Sequence, residues 1–196
     1  MITIINSGGA NISSIQFALE RLGVVAKLSH DADTIKQSSH IILPGVGSAG
    51  SVMKRLKDYS LIEVIRSFTQ PVLGICLGMQ ILFDCSEEGN SECLGLIPGK
   101  VFKITANDKK LIVPHMGWNT LDIIESKPIM QDVPNGSYAY FIHSYAAPVG
   151  KYTVAIACYG ENFSAVVQHN NFYGTQFHPE RSSVIGSMIL KNFLDC

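Results

Sequence analysis

The turn around Cys76 constrains this chain more than any other segment. The residues read Gly74-Ile75-Cys76-Leu77-Gly78, and an apolar run beginning at Pro71 leads into them without a loop. A sharp turn from strand to helix pushes the thiol out of the sheet, and the residues two before and two after it crowd each other. Both are glycine here, so the pattern predicts a nucleophile elbow. The following helix would direct its partial positive charge at the sulfur and stabilise the thiolate.

The first hundred residues alternate between strand and helix patterns. Apolar β-branched runs are separated by stripes of apolar residues at helical spacing, and such alternation is typical of a parallel sheet covered on both faces. The predicted strands cover residues 2–5, 24–28, 40–43 and 71–75, and the predicted helices cover 12–22, 49–68 and 77 to about 83.

The second half of the chain is rich in strand patterns. We predict strands at 97–104, 116–124, 138–146, 152–159, 163–169 and 172–177, with a hairpin turn at 169–172, polar loops at 86–93 and 105–110, and a last helix from about 183 to 194. The sequence therefore predicts one α/β domain over residues 1–196. Its central sheet would be open, mixed and mostly parallel, flanked by helices, with antiparallel strands added in the second half.

Composition excludes several classes of protein. Hydrophobic residues make up 46% of the chain and charged residues 16%, which is not the composition of a disordered protein. A formal charge of -1 gives no indication of nucleic-acid or membrane binding. No apolar stretch reaches the ~18 residues of a membrane span. Five cysteines without a Cys-x-x-Cys pair predict reduced thiols, a cytoplasmic location and no metal site.

A glycine-rich loop follows the third predicted strand. Residues 45–50 read Gly-Val-Gly-Ser-Ala-Gly and match the dinucleotide-binding pattern G-x-G-x-x-G. That interpretation is weakened because the loop follows the third strand and because no acidic residue ends the next strand. A tight strand-to-helix turn is one alternative. Another is a loop whose backbone N–H groups stabilise an oxyanion beside a nucleophile.

His178 is the histidine best placed to serve as a base. It follows the last predicted strand in the segment Gln176-Phe177-His178-Pro179-Glu180. Side chains two apart in an extended segment point to the same side, so Glu180 can reach His178. A carboxylate in that position fixes the imidazole tautomer and stabilises the imidazolium. We expect His30 to lie in a surface turn and His40 to pack against the core.

Together these motifs resemble those of class I, triad-type glutamine amidotransferases. The segments at 74–80 (GICLGMQ) and 176–180 (QFHPE) carry the resemblance, and Pro44-Gly45-Val46-Gly47 matches the family's oxyanion loop. Segments 114–119 (PHMGWN), 140–145 (YFIHSY) and 178–183 (HPERSS) are most similar to the glutaminase subunits of imidazole glycerol phosphate synthases. The resemblance covers essentially the whole chain. It departs at residues 6–11, Asn-Ser-Gly-Gly-Ala-Asn, where many members read Asp-Tyr-Gly-x-Gly-Asn.

The resemblance implies hydrolysis of glutamine to glutamate and ammonia through a γ-glutamyl thioester, without a cofactor. Cys76 would be the nucleophile, His178 the acid and base, and Glu180 its orienting carboxylate. The oxyanion hole would be formed at Val46, Gly47 and Leu77. The implied substrate-binding residues are Gln80, Glu88, Ser144 and Tyr145, of which Glu88 would bind the α-ammonium of glutamine.

The resemblance also implies a partner that uses the ammonia. The partner would be a cyclase subunit with a (β/α)₈ barrel, which forms a heterodimer with the glutaminase. The complex would make imidazole glycerol phosphate and aminoimidazole carboxamide ribotide in L-histidine biosynthesis. The candidate interface residues are Asn11, Trp118 and Arg181. The alternatives are an amidotransferase subunit of another ammonia-using synthase, including a duplicate that serves surface-sugar synthesis, and a non-catalytic binding subunit of the same fold.

Overall fold

The computed structural model describes residues 1–7, 12–105 and 111–196 of the chain. Strands and helices alternate up to residue 80, and strands predominate after it. The strands are β1 (Ile2–Ile5), β2 (Ala26–Ser29), β3 (His40–Gly45), β4 (Val72–Cys76), β5 (Phe83–Ser86), β6 (Ser91–Glu92), β7 (Ile97–Lys103), β8 (His115–Thr120), β9 (Asp122–Ile123), β10 (Tyr138–His143), β11 (Tyr145–Ala146), β12 (Thr153–Tyr159), β13 (Glu161–His169) and β14 (Phe172–Thr175). The α-helices are α1 (Ile12–Arg21), α2 (Ala32–Lys36), α3 (Ala49–Asp58), α4 (Ile62–Arg66), α5 (Leu77–Gln80) and α6 (Ser183–Leu194).

Eight strands form the central sheet in the order β2-β1-β3-β4-β14-β13-β12-β9. The five strands from β2 to β14 are parallel, and β13, β12 and β9 continue the sheet in antiparallel pairs. The mixed, mostly parallel α/β sheet predicted from the sequence is confirmed. Because β14 pairs in parallel with β4, the segment after β14 emerges at the same edge of the sheet as the turn after β4.

The two faces of the sheet bury two separate hydrophobic cores. Successive strand residues point to opposite faces, so Ile42 joins one core while its neighbours Ile41 and Leu43 join the other. Helices α1 and α6 cover the Ile42 face, and α2, α3 and α4 cover the opposite face. Among the described residues, none of these helices has the length and apolar character needed to span a membrane.

The single helix predicted over residues 49–68 is wrong, because the structure contains two helices there. Helix α3 ends at Asp58, and Ser60 adopts a left-handed conformation with φ 56°. The N–H groups of Leu61 and Ser60 then bond the carbonyls of Leu56 and Lys57, at 2.8 and 2.9 Å. This is a Schellman motif, which ends a helix, with Ser at the position usually taken by Gly.

The helix predicted from Leu77 to about Phe83 is also shorter than expected. It is one turn that ends at Gln80. The carbonyls of Ile81 and Leu82 accept hydrogen bonds from residues 94–97 instead of continuing the helix. Residues 86–93, predicted to be a loop, contain a short 3₁₀ turn and the strand β6, and α2 was not predicted. The loop predicted at 105–110 lies, apart from Thr105, outside the described residues.

Two smaller sheets divide segments predicted to be single strands. The predicted strand 138–146 is interrupted at Ser144, because β10 pairs with β8 in a two-stranded ribbon while β11 joins the four-stranded sheet β11-β7-β5-β6. The predicted strand 116–124 is divided in the same way into β8 and β9. The hairpin turn between β13 and β14 is confirmed by the pairing of His169 with Phe172. The last helix, α6, is confirmed as well.

Helix α6 packs tightly against the segment that carries His178 and Glu180. Residues Pro179–Arg181 form a 3₁₀ turn directly before α6, and Gly186 lies beneath that turn. A Cβ atom on Gly186 would overlap the carbonyl group of Pro179. The close approach of α6 therefore depends on the absence of a side chain at this position.

We predict that Gly186→Ala lowers the free energy of unfolding by about 1–3 kcal/mol, because overpacked sites cost energies of that order. The measurement is urea-induced unfolding followed by circular dichroism. The matched control is Ser187→Ala in the same helix, which should change the free energy of unfolding by less than about 0.5 kcal/mol. Equal stability of the Gly186 variant and the parent would contradict the assigned packing.

Candidate active site

The conformation of Cys76 presents its thiol at the carboxyl end of β4, in the middle of the central sheet. Cys76 lies between β4 and α5 with φ 54° and ψ -112°, outside the regions that non-glycine residues normally occupy. A Cβ on Gly74 would lie 2.6 Å from the carbonyl oxygen of Gly78, and a Cβ on Gly78 would overlap the carbonyl of Leu43. The crowding predicted between residues 74 and 78 is therefore present. Gly78 also touches the neighbouring strand, which the sequence did not indicate.

His178 and Glu180 come to Cys76 from the adjacent strand. His178 follows β14, and its backbone N–H donates to the carbonyl of Tyr140 at 3.0 Å. Its Nδ1 lies 2.8 Å from Oε1 of Glu180, whose side chain is fully buried. Because a carboxylate only accepts, Nδ1 carries a proton and Nε2 is left to interact with the thiol.

The charges of this trio are coupled. Burial by itself would lower the pKa of His178, but hydrogen bonds to Cys76 and Glu180, together with the charges of both groups, raise it to about 10. His178 is therefore an imidazolium at neutral pH. A cation held between the sulfur and a buried carboxylate favours the thiolate form of Cys76.

A cleft of about 310 Å³ opens over the sulfur. Cys76, Leu77 and Gly47 line one side of it, and the opposite wall comes from the segments around Pro114 and Ile142. Such a volume lies at the lower end of the range of about 300–1,000 Å³ for small-molecule sites. The four residues predicted to bind substrate also line the cleft: Gln80, Glu88, Ser144 and Tyr145.

Glu88 is held by the N-terminus of α3. Its Oε2 accepts a hydrogen bond from the N–H of Ala49 at 2.7 Å, while the side chain of Ser48 caps the same helix by accepting from Ser51. A pyrophosphate would need these N–H groups, and a carboxylate of the chain already uses one of them. This arrangement does not support the dinucleotide interpretation of residues 45–50.

The glycine-rich loop lies beside the elbow instead. Gly45 is the register partner of Cys76, and a Cβ on Gly45 would lie 2.6 Å from the Cβ of Leu77. Gly47 has φ 100° and lines the cleft, and Val46 is partly buried. The three residues predicted to form an oxyanion hole are thus adjacent to the nucleophile. Ser7 stabilises the start of this loop, because its Oγ donates to the carbonyl of Pro44 at 2.8 Å.

Sequence reasoning missed two groups of buried polar residues at the cleft. Gln176 is fully buried and its Nε2 lies 3.8 Å from the sulfur of Cys76. His115 and His143 are also buried, and their rings are joined by a hydrogen bond of 2.9 Å. Only the position of Gln176, two residues before His178 on an extended segment, offered a local signal.

The predicted interface residues lie on the surface where the structure describes them. Trp118 is 53% exposed, Arg181 is exposed, and Asn11 falls outside the described residues. Trp118 belongs to an apolar face of the β8–β10 ribbon, which we call the ribbon face: Met116, Trp118, Tyr138 and Ile142. Ile142 also lines the cleft. Within the described ranges, no three His, Cys, Asp or Glu side chains are grouped as a metal site.

Comparison with known proteins agrees with this geometry. Residues 3–196 match the family model described as "Glutamine amidotransferase class-I". The chain is 50% identical over 194 residues to "Imidazole glycerol phosphate synthase subunit HisH" of Pasteurella multocida, covering 99% of this chain and 97% of the relative. The protein of the same name from Haemophilus influenzae is 48% identical, with 99% and 96% covered.

Comparison with solved structures identifies a protein with the same fold as this chain. A solved structure titled "Crystal structure of glutamine amidotransferase" superposes with a TM-score of 0.76 at 17% identity, covering 99% of this chain and 97% of that one. At that identity the likeness concerns the fold alone. The family model and the sequence relatives span nearly the whole chain, so this chain belongs to the class I glutamine amidotransferase family.

Proposed function

We propose that this chain is the glutaminase subunit of an imidazole glycerol phosphate synthase. It hydrolyses glutamine to glutamate and ammonia, and it passes the ammonia to a cyclase subunit. The observation that carries this proposal is the trio of Cys76, His178 and Glu180 at a cleft of amino-acid size. The half-identical relatives whose names contain this synthase support the choice of complex.

In the first half of the reaction, the thiolate of Cys76 attacks the side-chain amide carbon of glutamine. The carbonyl oxygen becomes an oxyanion, which accepts hydrogen bonds from the N–H groups of Val46 and Leu77. One such donor typically contributes about 2.7–4 kcal/mol to transition-state stabilisation. The imidazolium of His178 gives its Nε2 proton to the leaving nitrogen. Ammonia departs, and a γ-glutamyl thioester remains on Cys76.

In the second half, neutral His178 accepts a proton from water, and the hydroxide formed attacks the thioester. The C–S bond breaks, glutamate leaves, and the thiolate and imidazolium are restored together. Glu180 keeps the ring in one tautomer throughout, since its carboxylate accepts the Nδ1 proton at 2.8 Å. The catalytic cycle therefore ends with the same pair of Cys76 thiolate and His178 imidazolium with which it began.

The remaining polar residues of the cleft suit the amino-acid end of glutamine. The carboxylate of Glu88 is the negative group that an α-ammonium requires, and α3 holds it in place through Ala49. Ser144 and Tyr145 lie on the opposite wall, where we place the α-carboxylate of the substrate. Gln80 is buried, and its amide donates to the carbonyl of Tyr145 in β11 at 2.7 Å.

The ribbon face is the surface that we assign to the cyclase. Four large apolar side chains are exposed on one side of two paired strands, and Ile142 connects that surface to the cleft. A partner seated there would cover apolar area and receive ammonia without its passage through bulk water. We propose a heterodimer with a (β/α)₈-barrel cyclase that serves L-histidine biosynthesis, and we include Asn11, Trp118 and Arg181 in the interface.

We further propose that residues 1–196 act as a single domain in the cytoplasm. The central sheet takes strands from both ends of the chain, β1 and β14, which supports one folding unit. Among the described residues the five cysteines are free thiols, which suits a reducing compartment.

Glutamate release from glutamine tests the proposed function. We expect slow release by this chain alone and a large increase when the cyclase subunit and its nucleotide ligand are added. Cys76→Ala should lower the rate in the complex by about 10³-fold or more, because the nucleophile is lost. The control is Cys158→Ala, which changes an exposed thiol away from the cleft. Fast release that the cyclase does not alter would argue for a different partner, and full activity of Cys76→Ala would exclude the mechanism.

Replacing Glu180 should change the ionisation of His178. In the parent, the raised pKa of His178 contributes stability that is fully present below pH 6.5 and is lost as the pH rises through about 10. Glu180→Gln removes one of the charges that raise this pKa, so the pKa should fall. The contribution of His178 to stability should then be smaller, and its loss should be complete at a lower pH. The measurement is an NMR titration of the His178 ring. Glu161→Gln, at an exposed position in β13, is the control, and an unchanged His178 titration in Glu180→Gln would contradict the assigned contact.

Trp118→Ala should weaken binding of the cyclase without lowering the stability of this chain. A large aromatic residue at the centre of an interface commonly contributes about 2 kcal/mol or more, so we expect an increase in Kd of about 30-fold. Isothermal calorimetry measures the Kd, and urea unfolding measures stability. Tyr59→Ala is the matched control, because Tyr59 is an exposed aromatic at the opposite end of α3 from the cleft. Equal Kd values for the Trp118 and Tyr59 variants would place the interface elsewhere.

A further inference from the structure

A buried side chain that the proposed mechanism does not use lies against the nucleophile. Gln176 has no exposed surface, and its Nε2 lies 3.8 Å from the sulfur of Cys76. The carbonyl oxygen of Ile142 lies 3.7 Å from the same sulfur. A carbonyl only accepts, so it can pair with the neutral thiol and not with the thiolate. After ionisation, the sulfur needs donors, and Gln176 is placed as one.

The orientation of the Gln176 amide follows from a backbone group. The carbonyl oxygen of Tyr145 can only accept, so the Gln80 atom 2.7 Å from it must be the donor nitrogen, Nε2. This nitrogen also lies 2.9 Å from one atom of the Gln176 amide, which must then be the acceptor oxygen, Oε1. The nitrogen of Gln176 is therefore left facing the sulfur.

The carbonyl of Tyr145 is itself held from the other side. Nδ1 of His143 donates to it at 2.8 Å, and Nε2 of His143 accepts from Nδ1 of His115 at 2.9 Å. Burial lowers the pKa of His143 to about 3 and that of His115 to about 4, so both rings are neutral at working pH. A carbonyl that accepts two buried hydrogen bonds is fixed in direction, and hydrogen bonds in such networks strengthen one another.

The thiolate needs this donor because the helix that follows it is short. Helix α5 is one turn, so few aligned peptide groups direct their dipoles at the sulfur. His178 supplies one charge-assisted hydrogen bond to the thiolate. A second donor, with its orientation set before glutamine arrives, stabilises the charge without reorganisation during the reaction.

We propose that Gln176 is a further catalytic residue, which donates a hydrogen bond to the Cys76 thiolate in an orientation set by Gln80 and the Tyr145 carbonyl. The inference rests on the proposed function, since it takes Cys76 to be the nucleophile. Gln176 contacts the reacting sulfur directly. Gln80 acts on the sulfur only through Gln176 and is in this respect a positioning residue, in addition to lining the cleft.

Alkylation of Cys76 by iodoacetamide tests the inference separately from glutamine hydrolysis. Gln176→Met keeps the length of the side chain and removes the donor. From alkylation rates measured between about pH 4 and pH 9.5, we expect the pH at which Cys76 reaches half of its full rate to rise by about one unit relative to the parent. That shift corresponds to a tenfold loss of thiolate stabilisation, as expected for a hydrogen bond to a charged group. At about pH 9.5, where an ordinary thiol is ionised, the two rates should be equal. Mass spectrometry of the peptide that contains Cys76 separates this reaction from that of the other thiols.

Two further variants complete the test. Gln80→Met should show the same pH-dependent loss, and the double variant should lose no more than Gln176→Met, because both act through one hydrogen bond. Thr175→Val is the matched control: Thr175 precedes Gln176, is equally buried, and its hydroxyl makes no hydrogen bond to the described part of the chain. This variant should react like the parent at every pH.

The outcomes separate the possible roles of Gln176. An unchanged midpoint of the alkylation profile in Gln176→Met would overturn the inference, and so would an equal loss of rate at every pH, which indicates a structural role. If Gln176→Met does not fold, as judged by circular dichroism, Gln80→Met decides by the same criteria. A parent chain that shows the expected alkylation pattern but releases no glutamate would defeat the proposed function and not the hydrogen bond.

Discussion

The contact between the Cys76 turn and the neighbouring strand β3 is the constraint on which the site depends. Gly78 lies so close to the carbonyl of Leu43 that no side chain fits between them, and a Cβ on Gly45 would lie 2.6 Å from the Cβ of Leu77. This approach holds Cys76 in its unusual backbone conformation and places the oxyanion loop beside the sulfur. The nucleophile and the groups proposed to stabilise its product are therefore positioned by one steric fit, and no flexible side chain is needed to align them.

A second constraint is electrostatic, and it is centred on the backbone carbonyl of Tyr145. Gln80 and His143 both donate to this oxygen, and the direction of every other amide and imidazole connected to them follows from it. Buried polar groups are costly unless they are satisfied, so a chain of donors and acceptors with only one consistent orientation is a rigid element. The hydrogen bonds around the Tyr145 carbonyl therefore hold the polar atoms of the cleft wall in place before a substrate binds. The glycine contacts at the elbow do the same for Cys76.

The sequence was sufficient to predict those parts of the fold that local pattern determines. Continuous apolar strands indicated the parallel sheet, and Gly74 and Gly78 indicated the elbow. The break at Ser60 escaped prediction because Ser rarely takes the left-handed position that ends a helix. The end of α5 depends on pairing between residues 81–82 and 94–97, and the division at Ser144 depends on which sheet each half joins. Such long-range pairings leave no periodic signal along the chain, and neither does a contact between Gln176 and a sulfur 100 residues away.

The position of β14 explains why catalytic residues so distant in sequence meet. Strand β14 enters the sheet between β4 and β13, parallel to the first and antiparallel to the second, and so it joins the two halves of the sheet. Its parallel pairing with β4 places Gln176 and His178 at the carboxyl end of β4, where Cys76 lies. Its antiparallel pairing with β13 connects the same segment to strands that precede it directly. If β14 lay at the outer edge of the sheet, the imidazolium would be several strand spacings of about 4.8 Å from the sulfur, and the ion pair could not form.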